Sequence, residues 1–207
     1  MEKEKEVEIN VITLGDVAVG KTSILNIIKG RDNNISNNDK NGNFVIQRKY
    51  EKKNMMISLN LMDSDSNQNN EKNIPIQYIR DSHIVLLIFC NIETLNHLKD
   101  RLYKFYKDNV DTHNSIFILI ANKSDIFGDE RDEIIKQGNK FAEEIDAHLI
   151  TCSAKSEDNM DNLDRYITTE AKRFIDESED ENIIQETRSF KIRNEQSNFG
   201  SNPCSQC

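Results

Sequence analysis

The chain has 207 residues, 36% of them hydrophobic, and a formal net charge of −9. That apolar content supports one α/β domain with a proper core, and an acidic balance with no basic block argues against nucleic-acid binding. No apolar run reaches the length of a membrane-spanning helix. The four cysteines form no disulfide framework and suit a reducing compartment.

In chain order, residues 1–6 (Met1-Glu2-Lys3-Glu4-Lys5-Glu6) read as a charged, solvated extension. Val7, Ile9, Val11 and Leu14 begin a strand that is apolar on both faces, as a central parallel strand requires. Gly15-Asp16-Val17-Ala18-Val19-Gly20-Lys21-Thr22 follows, and Thr22 to Lys29 reads as a helix. Gly30 to Asn43 is rich in Asn, which favours turns, and reads as a mobile loop. Phe44–Glu51 and Met55–Met62 form a hairpin with its turn near Lys53-Asn54, and Ile57, Leu59 and Leu61 keep period two.

Asp63 to Asn73 is a second polar loop, and a short helix covers Ile76 to Arg80. Ile84 to Phe89 is uninterruptedly apolar, a strand buried on both faces; Ser115 to Ala121 is another. Thr94–Lys107 and Glu130–Asp146 read as helices, the latter from Ile134, Ile135, Phe141, Ala142 and Ile145. His148–Thr151 is a short last strand, and Met160, Leu163, Ile167, Ala171 and Phe174 form a final helical stripe. Beyond about Asp176 the periodicity dissolves, so residues 7–177 form the domain and 178–207 a flexible tail. Cys90 and Cys152 read as small core residues, and His83, His97, His113 and His148 as isolated structural histidines.

Alternating strands and helices imply a mostly parallel sheet covered on both faces, with ligands bound beyond the carboxyl ends of the strands. Strand, glycine loop and helix in succession are the context of a phosphate-binding P-loop. Gly15 and Gly20 permit close backbone approach to a polyanion. The N–H groups from Gly15 through Ser23 and the positive helix end face the phosphates. Lys21 adds a point charge near the β- and γ-phosphates, and the Thr22 hydroxyl is placed to ligate Mg²⁺.

Asn122-Lys123-Ser124-Asp125 follows one predicted strand, and Thr151-Cys152-Ser153-Ala154-Lys155 includes the end of the last strand. With the glycine loop, these spacings resemble the small GTPases of the Ras superfamily over about residues 7–175. Within that superfamily the chain looks most like a Rab, through Tyr78-Ile79-Arg80-Asp81-Ser82-His83 before a buried strand and through a long tail with spaced cysteines. The resemblance implies a P-loop GTPase fold, a six-stranded, mostly parallel sheet with one antiparallel edge strand. It implies GTP or GDP as ligand, Mg²⁺ held by Thr22 and by Asp63 through water, and exchange factors, activators and effectors as partners.

It also makes Asp125 the reader of guanine, whose N1–H and amino group donate two hydrogen bonds to a carboxylate while adenine offers neither in that geometry. Asn122 braces that loop and the Lys123 stem lies along the base. The Ala154 N–H meets the guanine carbonyl, supported by Ser153 and Lys155. A site built on such pairing rejects an analogue lacking the partner by about 10⁴-fold or more.

The switch segments depart from the family. Its Asp-x-x-Gly-Gln appears as Asp63-Ser64-Asp65-Ser66-Asn67. Ser66 stands where a glycine N–H contacts the γ-phosphate. Asn67 stands where a glutamine orients the attacking water, and Gln68 is one residue late. Asn67 and Gln68 are therefore only weak catalytic candidates. Asp65 is expected to repel the γ-phosphate; at 4 Å and an effective dielectric of about 20 one charge pair is worth about 4 kcal/mol, less with screening.

The family's Mg²⁺-ligating threonine falls on Lys40, which could pair instead with Asp65 or the γ-phosphate, although both side chains facing solvent is the preferred reading. Asp63-x-Asp65-x-Asn67 opens like a calcium loop, but Gln68 and Ile74 stand where Gly and Glu belong. Hydrolysis is expected to be weak and binding to survive.

The chain ends Pro203-Cys204-Ser205-Gln206-Cys207. The resemblance implies prenylation at Cys204, Cys207 or both, and hence a peripheral place on the cytoplasmic face of endomembranes in vesicle transport. The alternative is a nucleotide-bound or nucleotide-free scaffold that binds partners without switching.

Overall fold

The computed structural model describes residues 5–31, 35–38, 44–64, 79–109 and 115–180. Among these, seven strands form one sheet: β1 (Lys5–Leu14), β2 (Ile35–Asn38), β3 (Phe44–Tyr50), β4 (Met55–Met62), β5 (Ile84–Phe89), β6 (Ile116–Ala121) and β7 (His148–Thr151). Their spatial order is β2-β3-β4-β1-β5-β6-β7. The uninterrupted apolar runs take the middle of the sheet, where both faces are covered. β5 is buried along its whole length and pairs in parallel with β1 and β6.

The parallel α/β architecture is the expected one, with two differences. A seventh strand, β2, arises inside the polar stretch read as a loop, and it pairs antiparallel with β3 with a register irregularity between Ser36 and Asn38. An edge strand pairs on one side only, so polar residues can supply the backbone hydrogen bonds it needs. β3 is thus the reversed strand among those described, antiparallel to both β2 and β4, and lies one place in from the edge. At the start of the chain, β1 begins at Lys5, inside the segment expected to be solvated. Glu6 accepts hydrogen bonds there from Ser58 Oγ at 2.5 Å and Gln47 Nε2 at 3.4 Å.

The α-helices described in full are α1 (Lys21–Gly30), α2 (Ile92–His97), α3 (Lys104–Asn109), α4 (Arg131–Glu144) and α5 (Met160–Asp180). A π-helical turn over Leu98–Tyr103 joins α2 to α3. The predicted helix from Thr94 thus begins two residues earlier, because Asn91 caps it: its side chain accepts from Thr94 N–H at 2.9 Å while Thr94 Oγ1 accepts from Asn91 N–H. α5 runs past the predicted end of the domain at residue 177.

One face of the sheet packs on α1 and α5 around Ile9, Val11, Ile57, Leu59, Leu163 and Ile167. The other packs on α2, α3 and α4 around Ile12, Val85, Leu87, Leu119 and Phe141. Every strand from β1 to β7 except β3 runs in one direction, so the loops after β1, β4, β5, β6 and β7 emerge at one rim. Among the described residues no helix is long and apolar enough to cross a membrane.

Candidate functional site

The first loop at that rim joins β1 to α1. Gly15 lies against the end of β5, where a Cβ would run into the Ile88 carbonyl oxygen. Gly20 caps α1 with φ +101°, and a Cβ there would meet the Asn122 side-chain amide. Both positions therefore exclude a side chain for reasons of space, and Gly20 also for its backbone conformation. Ala18 holds the left-handed conformation at φ 63°. The first turn of α1 carries no acidic residue and Gly20 offers no side-chain cap, so its N–H groups and positive helix end favour an anion.

Lys21 is 1% exposed. Its ammonium donates to the carbonyls of Gly15 at 2.7 Å and Asp16 at 2.6 Å, spanning the mouth of the loop. Thr22 Oγ1 donates to Asp63 Oδ2 at 2.5 Å, bringing together the two residues expected at a divalent cation. Asp63 follows β4, whose end is tied to β1: Thr13 Oγ1 donates to Met62 O and accepts from Ser64 N, both at 3.3 Å. A hydroxyl and a carboxylate in contact form a hard-oxygen donor pair, which suits Mg²⁺.

The second and third loops follow β6 and β7. Asn122, 1% exposed, joins all three. Its Nδ2 donates to Val19 O at 2.8 Å, and its Oδ1 accepts from Ala154 N at 3.0 Å. Lys123 turns the chain at φ 64°, and Ser124 N donates to Cys152 O at 3.0 Å. Ser153 Oγ donates to Asp125 Oδ1 at 2.6 Å and accepts from Ser156 N at 3.2 Å, so the carboxylate is held at the surface in a fixed orientation. Lys155 is exposed. Burial pushes the Cys152 thiol up to about 12, which keeps it protonated and inert.

The predicted phosphate loop, metal pair and base loops thus converge on one rim. Lys40, Asp65, Ser66, Asn67, Gln68, Cys204 and Cys207 lie outside the described residues. One contact was not foreseen: His97 of α2, read as isolated, lies 3.0 Å from the Asp16 carboxylate. The partners are 81 residues apart, and no spacing pattern links them.

This arrangement defines a P-loop nucleotide-binding protein of the α/β class. The Ras family model matches residues 10–173, and the chain belongs to that family. It is therefore a small GTPase of the kind that binds GTP and GDP, generally with Mg²⁺.

Proposed function

We propose that the protein is a Rab-like guanine-nucleotide switch with weak intrinsic hydrolysis, membrane-associated through prenylated Cys204, Cys207 or both and acting in vesicle transport. The observation that carries the nucleotide reading is the Asn122 bridge, which locks the phosphate loop at Val19 to the Ala154 loop. Two loops fixed to one amide hold a purine and its phosphates at a set separation.

In this reading the N–H groups from Gly15 to Ser23 bind the β- and γ-phosphates and Lys21 offsets their charge. Asp125 accepts from the guanine N1–H and amino group, in an orientation set by Ser153. Asn122, Lys123 and Lys155 keep the base loops in place, and the Ala154 N–H meets the guanine carbonyl. Thr22, and Asp63 through water, would hold Mg²⁺, which when bound neutralises charge on the phosphate oxygens.

The Rab reading draws on Arg80-Asp81-Ser82-His83 before β5 and on the tail cysteines. Exchange factors, activators, effectors and the endomembrane surface are then its partners. Weak hydrolysis follows from Asn67 and Lys40 at the positions of the water-orienting glutamine and the metal-ligating threonine. The same two residues favour a second reading, a nucleotide-bound or nucleotide-free scaffold that binds partners without switching.

Single-turnover hydrolysis of bound GTP tests the impaired chemistry. The expected rate lies below the ~10⁻⁴ s⁻¹ of unassisted relatives; a rate at or above that value removes the claim. Partner binding that depends on GTP supports the switch, and nucleotide-independent binding supports the scaffold. Mass spectrometry of the native C-terminus tests prenylation.

A further inference from the structure

Asp16 uses its two polar ends in different directions. Its carbonyl accepts from the Lys21 ammonium at 2.6 Å, inside the loop. Its Oδ2 lies 3.0 Å from His97 Nδ1, outside it. An ionised carboxylate only accepts, so Nδ1 carries the hydrogen. The residue that opens the phosphate loop after Gly15 is thereby clamped between the loop's own lysine and a side chain from α2.

α2 is suited to serve as the fixed end of that clamp. The Asn91–Thr94 capping box sets its start, and Leu95 and Leu98 anchor it in the core. The π-helical turn begins at Leu98, immediately after His97. Such turns are uncommon departures from α-helical bonding and occur often at functional sites.

The chemistry of the pair adds a dependence on charge. Asp16 places a carboxylate beside a loop that takes a polyphosphate, which opposes binding. A neutral imidazole donates to the carboxylate as a bond with one ionised partner. An imidazolium turns the contact into an ion pair and offsets the carboxylate's field. Imidazoles ordinarily change charge between about pH 5 and 8. Among the described residues, Lys21 of α1 bonds the Asp16 carbonyl, and Glu93 and Arg101 lie four residues either side of His97 in sequence. Among the described residues Asp16 is the charged group bonded to the imidazole.

We propose that His97 is a positioning residue for the phosphate loop, acting through Asp16, and that its protonation slows nucleotide release. The proposal rests on the nucleotide-binding reading above and adds a control on it from outside the pocket.

The test uses the full chain loaded with Mg²⁺ and a fluorescent GDP, chased with unlabelled GDP from about pH 5.5 to 8. His97→Gln keeps an N–H donor but does not titrate. Its profile supplies the baseline for the titration of the nucleotide itself. Relative to it, wild-type release slows by roughly two- to fivefold on acidification, the range for an exposed ion pair. His97→Ala releases faster than wild type throughout. A merely structural role would shift all rates and leave the pH slope in place. Coincident profiles for wild type and His97→Gln, or unchanged release in His97→Ala, overturn the proposal alone. No nucleotide binding by any of the three proteins overturns it together with the reading it rests on.

Discussion

On the proposed reading, Asp125 and Asn122 divide the work of the base pocket at the level of single groups. Asn122 is committed to backbone partners from two other loops, Val19 and Ala154, and Asp125 is steadied by Ser153. On the guanine reading, Asp125→Ala removes two charge-assisted hydrogen bonds, each worth about 1.5–3 kcal/mol. GDP affinity is then expected to fall by roughly 100-fold or more, with folding unchanged, as read by calorimetric titration and thermal melting. His83 is a structural residue of a different kind. Its Nδ1 accepts from Asn10 N–H at 2.9 Å, its backbone N–H donates to Asn10 O at 2.9 Å, and its ring meets Phe174 edge-on. Burial lowers its pKa from 6.5 to about 4. The fold thus favours the neutral ring: the stabilisation is full above pH 6.5 and is lost as pH falls towards about 4. The loss amounts to at most ~3 kcal/mol. Urea titrations at stepped pH are expected to give this slope in the wild type and to lose it in His83→Gln.

Among elements, the β3–β4 hairpin is held to α5 by two polar clusters. Arg48 makes a two-pronged contact with Asp164 at 3.0 and 3.2 Å, and both side chains are largely buried. Near the turn, Asp176 accepts from Tyr50 Oη at 2.8 Å and pairs with Lys53 at 2.7 Å. The hydrogen bonds from Lys53 and Tyr50 hold the Asp176 carboxyl down at about 2. Its contribution is therefore present above the ordinary carboxylate range and lost as pH falls through about 2, a window below that of His83. Asp164→Ala leaves Arg48 without this partner and is expected to cost roughly 1–3 kcal/mol in urea unfolding. A cost near zero would mean that the Arg48–Asp164 pair does not hold the hairpin to α5.

The elements also differ in how legible they were. β5 and β6 were clear because a strand covered on both faces must be apolar throughout, and few other structures require that. β2 was not, because an edge strand requires only backbone pairing, and Ser36, Asn37 and Asn38 give no periodic signal. The π-helical turn at Leu98 leaves no mark in the helical stripe that continues through it. Most of the candidate site was legible, because close backbone approach demands glycine at 15 and 20 and fixed loops demand Asn122 and Ser153. The His97–Asp16 contact was not, since it depends on how β1 and α2 come together in space.

At the scale of the whole molecule, one rim collects the loops after five parallel strands, and everything proposed depends on what that rim binds. The acidic chain, at −9 overall, has no general attraction for polyanions; on the proposed reading the attraction is local to the glycine loop, Lys21 and the α1 terminus. On the proposed reading, Lys40 and Asn67 bear on turnover, whereas the pocket geometry bears on affinity and choice of base. Binding is thus the more direct test. The measurement is competition for the purified chain in Mg²⁺, with labelled GDP displaced by GTP, GDP or ATP. Displacement by GTP and GDP at concentrations at least 10⁴-fold below those of ATP is the expected result. Equal displacement by ATP, or no binding of GDP by the folded protein, would contradict the account.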